Sequence, residues 1–184
     1  MSSIQYKSYD NKFSFRNKLV RLLWNITYRV TFKLFQGPLF NSFRILVLRI
    51  FGAKIGYKCK ISSSAVIWMP KNLEIGNYVA FGEKTEIYNI DKIKIGNKVA
   101  ISQHSYLCTG THNYESVENE LISKPIIIED LVWVASGAFI GPGVKLEKGC
   151  IVGARAVVFN NCKSFKVYAG NPAKEIKKRA FYAE

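Results

Sequence analysis

From Ile55 onward an aliphatic residue or phenylalanine returns every six positions, an interval that neither a helix nor a hairpin produces. The series runs Ile55, Ile61, Ile67, Leu73, then after a slip of two Ile75, Phe81, Ile87, Ile93, and after a second slip of two Ile95, Ile101, Leu107. Beyond an interruption it resumes as Ile128, Val134, Ile140, Leu146, Val152 and Val158. A helix would repeat at 3.6 and a half-buried strand at 2. Six suits a solenoid whose short strands turn corners and stack their inward side chains coil upon coil, three hexads to a triangular coil. Four residues after most of these positions stands a small or β-branched partner: Cys59, Ala65, Val79, Thr85, Val99, Ser105, Val132, Ala138, Val144, Cys150, Ala156 and Cys162. Glycine follows the apolar residue at 56, 76, 82, 96, 141 and 153, where a sharply turning coil is expected to use a residue without a side chain.

The repeat stops between Thr109 and Pro125, TGTHNYESVENELISKP, an extended polar loop that displays one of the chain's two histidines. A flat-sided solenoid has no cleft of its own, so a site is expected where an excursion from one coil meets a neighbouring face.

Residues 1–52 read differently. Of the formal net charge of +14, most lies early: residues 1–60 hold twelve Lys/Arg against the single acid Asp10, and the rest is nearly balanced. Between Phe13 and Phe35 the polar residues Lys18, Arg21, Asn25, Arg29 and Lys33 recur at helical spacing, a narrow basic seam on a largely apolar helix that Gly37 and Pro38 end. Asn41 or Ser42 is expected to cap a second helix running through Arg49, with Gly52 as its stop. Two placements remain open for these helices. They cover the end of the solenoid or a neighbouring subunit, or they lie peripherally in the headgroup layer of an acidic membrane. A nucleic-acid partner is not expected, since the basic stripe sits on an apolar helix with no accompanying motif. The expected organisation is a basic helical segment 1–52, a solenoid domain 53–179 with its loop at 109–125, and a tail 180–184.

A chain of 184 residues with 48% hydrophobic content is long enough for one sizeable core. The cysteines at 59, 108, 150 and 162 form no CxxC pair, which argues against zinc or dithiol chemistry and for free thiols in a reducing compartment. No run of 18 apolar residues and no signal-peptide pattern occurs, so the expected location is cytoplasmic, including the inner face of the membrane.

Four segments narrow the reading: LRIFGAKIG at 48–56, SQHSYLCTGTHNY at 102–114, KPIIIEDLVWVASGAFIGPGVKLEKGCIVGARAVV at 124–158 and VYAGNPAKEIKKR at 167–179. Over roughly 44–179 they resemble the hexapeptide-repeat acyltransferases, most closely the colanic-acid-biosynthesis type of O-acetyltransferase, and more distantly the maltose and galactoside acetyltransferases. The resemblance implies an all-β solenoid, a left-handed parallel β-helix, assembled as a homotrimer with sites between subunits. It implies acetyl-CoA as donor, a sugar or glycan-precursor hydroxyl as acceptor, and no metal. His112 is then the expected general base, because an alcohol is a feeble nucleophile until its proton is being removed. Trp133 is expected against the pantetheine arm and Ser136 beside the thioester. Ala135, Gly153, Ala154, Arg155 and Lys174 are implied to hold the donor, the two cations near phosphate. Asn89 and Asp91 are candidate acceptor contacts.

His104 falls on an outward position of its hexad and is read as surface or site rim. With only two histidines, a three-histidine zinc site is excluded. Two departures from the family pattern stand out. Asn113 follows the histidine where an acid is common, and Phe159-Asn160-Asn161 replaces the usual Thr-Lys-Asp, removing one cation expected to face the donor. The same fold leaves open an amine acceptor, a longer acyl donor, or a non-catalytic scaffold, since stacking needs no active site.

Overall fold

The computed structural model describes residues 13–180. Each hexad becomes a two- or three-residue strand whose apolar residue points inward, and three strands close one triangular coil. Face one stacks Lys54–Ile55, Leu73–Ile75, Ile93–Ile95, Ile126–Ile128 and Lys145–Leu146. Face two stacks Lys60–Ile61, Ala80–Phe81, Ala100–Ile101, Trp133–Val134, Ile151–Val152 and Lys166–Gly170. Face three stacks Val66–Ile67, Glu86–Tyr88, Tyr106–Cys108, Phe139–Ile140 and Val157–Val158. All coil-to-coil pairings are parallel. Every residue of the six-residue series is buried, from Ile55 at 8% exposure to Val158 at 2%, and so is every small partner four positions on. The four cysteines are buried free thiols within this stack.

Register explains the slips of two. Ile55 pairs with Ile75, and Ile75 with Ile95, so these coils are two residues longer than three hexads. The surplus falls each time at the edge between faces three and one. There Pro70–Asn72 forms a 3-10 turn in the first coil, and residues 109–125 leave the third.

The repeat glycines act otherwise than the sequence suggests. None of the six has a left-handed backbone. They sit where the next coil approaches too closely for a side chain: a Cβ on Gly56 would lie 2.4 Å from the Gly76 carbonyl oxygen, and one on Gly96 2.2 Å from Asp130 Oδ1. The sharp turns fall two residues later, where Lys58, Tyr78, Lys84, Lys98, His104, Leu131 and Arg155 adopt φ between 51° and 63°, alongside Gly137, Gly143 and Gly149.

The first coil has no predecessor to satisfy its outward-facing carbonyls, and the N-terminal helices supply donors instead. Helix α1 spans Phe15–Leu34 and α2 spans Asn41–Ile50. Trp24 Nε1–H donates to the Ile67 carbonyl (2.7 Å) and the Tyr28 hydroxyl to that of Ala65 (3.2 Å). Buried Arg44 donates through Nε to Ile61 (3.1 Å), and Arg49 to Ile55 (2.6 Å). Asn41 does not cap α2 as the sequence suggests, since Phe40 occupies the cap position. Its amide is committed to the first coil, donating to the Cys59 carbonyl (2.8 Å) and accepting from Ile61 N–H (2.9 Å).

At the other end Lys166–Gly170 turns back antiparallel into Ala173–Lys178, and Arg179 donates to the carbonyls of Leu131 (2.8 Å) and Gly149 (3.0 Å). Most of the expected 180–184 tail lies outside the described residues, as do residues 1–12 of the helical segment.

Candidate active site

Most of the donor-side candidates lie along one edge, between faces two and three. Trp133 leads into it from face two, 46% exposed, its Nε1–H donating to Ser102 Oγ one coil earlier (3.0 Å). Ser136 occupies the corner and donates through Oγ to the Gln103 carbonyl (3.1 Å). One coil further, Ala154 and Arg155 are exposed at the same corner, and Arg155 N–H donates to the Ser136 carbonyl (2.9 Å). Gly153 N–H is committed to the Tyr168 carbonyl (2.7 Å), and a Cβ on Gly153 would stand 3.0 Å from the Ala169 methyl. Lys174 pairs with Ala169 and is exposed, which brings a second cation to this end of the edge.

Ala135 does not line the surface with the others. It is 7% exposed, its N–H donates to the Val152 carbonyl (2.8 Å), and its own carbonyl accepts from Ser105 Oγ (3.0 Å). It supports the edge from within.

His104 belongs to this edge too. It is exposed at the corner one coil before Gly137, with φ 60° and its N–H on the Glu83 carbonyl (2.9 Å). Its exposure matches the outward position expected from its place in the hexad.

His112 stands on another edge, between faces three and one. The polar interruption is an antiparallel hairpin, Gly110–His112 against Leu121–Ser123, with His112 opposite Leu121. It grips the prism at its root, where buried Thr109 accepts Lys124 N–H at its carbonyl (2.9 Å) and Asp91 N–H at Oγ1 (3.0 Å). Across the tip Asn113 donates from its side chain to Glu120 Oε1 (2.7 Å), and from N–H to the Glu120 carbonyl (3.0 Å). Asn113 thus ties the hairpin together, and the histidine is oriented by a different group. His112 Nδ1 lies 2.6 Å from the carbonyl oxygen of Asn119, a residue held at φ 44°. A carbonyl only accepts, so Nδ1 carries the proton, and in the neutral ring the basic lone pair is on Nε2. Sequence reasoning missed Asn119 because its contribution is a main-chain oxygen. The available signal was an asparagine in a polar loop, a residue type that tolerates a left-handed backbone.

Of the two acceptor-side candidates, Asp91 sits half-buried at the hairpin root, its carboxylate accepting Lys92 N–H (2.6 Å) and Ser123 Oγ–H (3.5 Å). Asn89 is corrected. It is fully buried, accepting Met69 N–H at Oδ1 (3.0 Å) and donating from Nδ2 to the Met69 carbonyl (2.8 Å), which makes it a bracket between coils. Among the described residues no cluster of His, Cys, Asp and Glu is arranged to hold a metal ion.

Over 160 residues the chain is 37% identical to the "Putative colanic acid biosynthesis acetyltransferase WcaF" of Escherichia coli (strain K12), a match covering 87% of each. The chain belongs to the hexapeptide-repeat acetyltransferases. A second relative, at 26% identity over 142 residues, is the "Putative lipopolysaccharide biosynthesis O-acetyl transferase WbbJ" of the same organism, with 70% of this chain and 68% of the relative covered. No family model matches the chain. Among solved structures, a galactoside acetyltransferase in complex with coenzyme A superimposes with a TM-score of 0.83 at 21% identity, covering 95% of this chain and 90% of the other. The hexapeptide-repeat acetyltransferase of Vibrio cholerae complexed with acetyl coenzyme A gives 0.81 at 22% identity, covering 93% of each. These last two likenesses concern the fold. In this hexapeptide-repeat acetyltransferase one edge carries His112, and another carries Trp133, Ser136 and Arg155.

Proposed function

We propose that the protein transfers an acetyl group from acetyl-CoA to a sugar hydroxyl during surface-polysaccharide synthesis, with His112 as general base. The observation that carries the proposal is the contact between His112 Nδ1 and the Asn119 carbonyl, because it fixes the tautomer in which Nε2 is the basic nitrogen. Nε2 takes the hydroxyl proton as the sugar oxygen bonds to the thioester carbonyl carbon. Collapse of the tetrahedral adduct then breaks the carbon–sulfur bond, and Nε2 returns the proton to the departing thiolate. The relatives named for colanic acid and lipopolysaccharide synthesis support the acceptor class.

The donor-side edge fits acetyl-CoA in chemical type. Trp133 offers a flat apolar face for the pantetheine arm, Ser136 a hydroxyl beside the thioester, and Arg155 and Lys174 two exposed cations for phosphate. Asp91 at the hairpin root is the remaining acceptor contact. Since His112 and Ser136 occupy different edges of one prism, the complete site takes the hairpin of one copy and the corner of the next, in a homotrimer. The test is thiol release from acetyl-CoA with a panel of sugars. His112→Ala is expected to lower kcat by about 10²–10⁴ with KM for acetyl-CoA little changed. Undiminished turnover would overturn the base, and failure of the wild type to bind acetyl-CoA would favour a scaffold.

A further inference from the structure

Helix α1 has two apolar faces, and the prism occupies only one. Trp24, Tyr28 and Phe32 face inward at helical spacing, with Trp24 and Phe32 buried and the Trp24 ring 5.1 Å from that of Phe51. On the opposite side Phe15, Leu19, Leu22, Leu23, Ile26, Val30 and Leu34 are all exposed, Phe15 at 81% and Leu34 at 71%. Apolar exposure resumes beyond the end of α1. Phe35 packs against Phe40 (5.3 Å) and Phe43 (5.1 Å), and α2 presents Phe43, Leu46 and Ile50 outward, with Leu39 beside them at 91% exposure.

A globular surface seldom leaves so long an apolar stripe to water, and what borders this one selects its occupant. Arg16, Lys18, Arg29 and Lys33 are exposed beside it on α1. Between Asp10 and Glu74 the sequence contains no acidic residue. Arg21, expected in the same basic seam, is instead turned over the Trp68 ring at 4.0 Å and belongs to the inner contact. A second copy meeting this stripe symmetrically would bring cation against cation. An anionic bilayer offers an apolar interior beneath a negative headgroup layer, complementary to both parts. No described helix is long and apolar enough to cross a membrane, so the contact lies in the plane of the surface.

We infer that α1 and α2 form an interfacial anchor that docks on an anionic lipid bilayer through Phe15, Leu22, Ile26, Leu34, Leu39 and Ile50, with the exposed Arg and Lys residues meeting headgroups. The anchor presents the prism to acceptors held at the membrane.

Flotation of the full-length protein with vesicles tests it, comparing phosphatidylcholine alone with phosphatidylcholine containing phosphatidylglycerol. Binding at least about tenfold stronger to the anionic vesicles, weakened by added salt, is the expected result. The paired variant Leu22→Glu/Ile26→Glu is expected to lose that binding while keeping the wild-type thermal melt and oligomeric mass by light scattering. If the glutamates disturb folding, Leu22→Gln/Ile26→Gln gives the same reading with a smaller loss. Equal partitioning of the wild type to both vesicle types, or undiminished flotation of a folded variant pair, would overturn the anchor. So would a drop in oligomeric mass for the folded variants, since the stripe would then belong to a subunit contact.

Discussion

The edge between faces two and three and the edge between faces three and one are built from the same hexads, yet they serve different ends. The first is regular. Each corner repeats the one before, with N–H groups of His104, Gly137 and Arg155 donating in turn to Glu83, Gln103 and Ser136. Such regularity lays a straight rail suited to an extended ligand. The second edge absorbs every irregularity, two extra residues in each of the first two coils and the hairpin in the third. Irregular backbone can aim a single side chain, and this edge carries His112. On the proposed function, binding length and chemical aim fall to different corners of one triangle.

The largest expected effect tests whether the two edges act across copies. His112→Ala and Ser136→Trp should each be nearly inactive alone, the second because it fills the rail. Mixed at equal amounts under conditions that let subunits exchange, they should recover about a quarter of wild-type turnover, because random assembly joins an intact hairpin to an intact corner at that fraction of sites. No recovery, with exchange verified by mass, would mean that each copy works alone. Asn89→Ala sharpens the comparison on the irregular edge. Losing a buried amide bonded to Met69 should cost about 1–3 kcal/mol, read as a lower Tm, with kcat/KM per folded molecule unchanged. A selective fall in acceptor turnover at unchanged Tm would return Asn89 to the site. The smallest effect is on the regular edge, where Arg155→Ala should raise KM for acetyl-CoA about two- to fivefold and leave kcat alone, the modest size expected of an exposed cation. An unchanged KM would remove Arg155 from the donor contacts.

The inward ladder was legible in the sequence because a position that points into a dry core every sixth residue tolerates little but an apolar side chain. The slips of two were legible as well, although which edge received them was not. Positions whose role depends on a neighbour twenty residues away were misread. Asn89 looks like an acceptor contact until Met69 of the previous coil is placed against it, and Asn41 looks like a helix cap until Cys59 and Ile61 claim its amide. The repeat glycines were recognised as special, but the constraint is contact with the next coil and not turn conformation. The hairpin escaped detection because its strands are three residues each, too short for alternation to stand out.

Trp24, Tyr28, Asn41, Arg44 and Arg49 close the first coil with side chains where another strand could have paired. A bare coil end is a template on which a second solenoid could stack and propagate into filaments. Terminating the ladder with rings and guanidinium groups leaves nothing for an incoming strand to copy, so the length of this prism is set once, by its own chain.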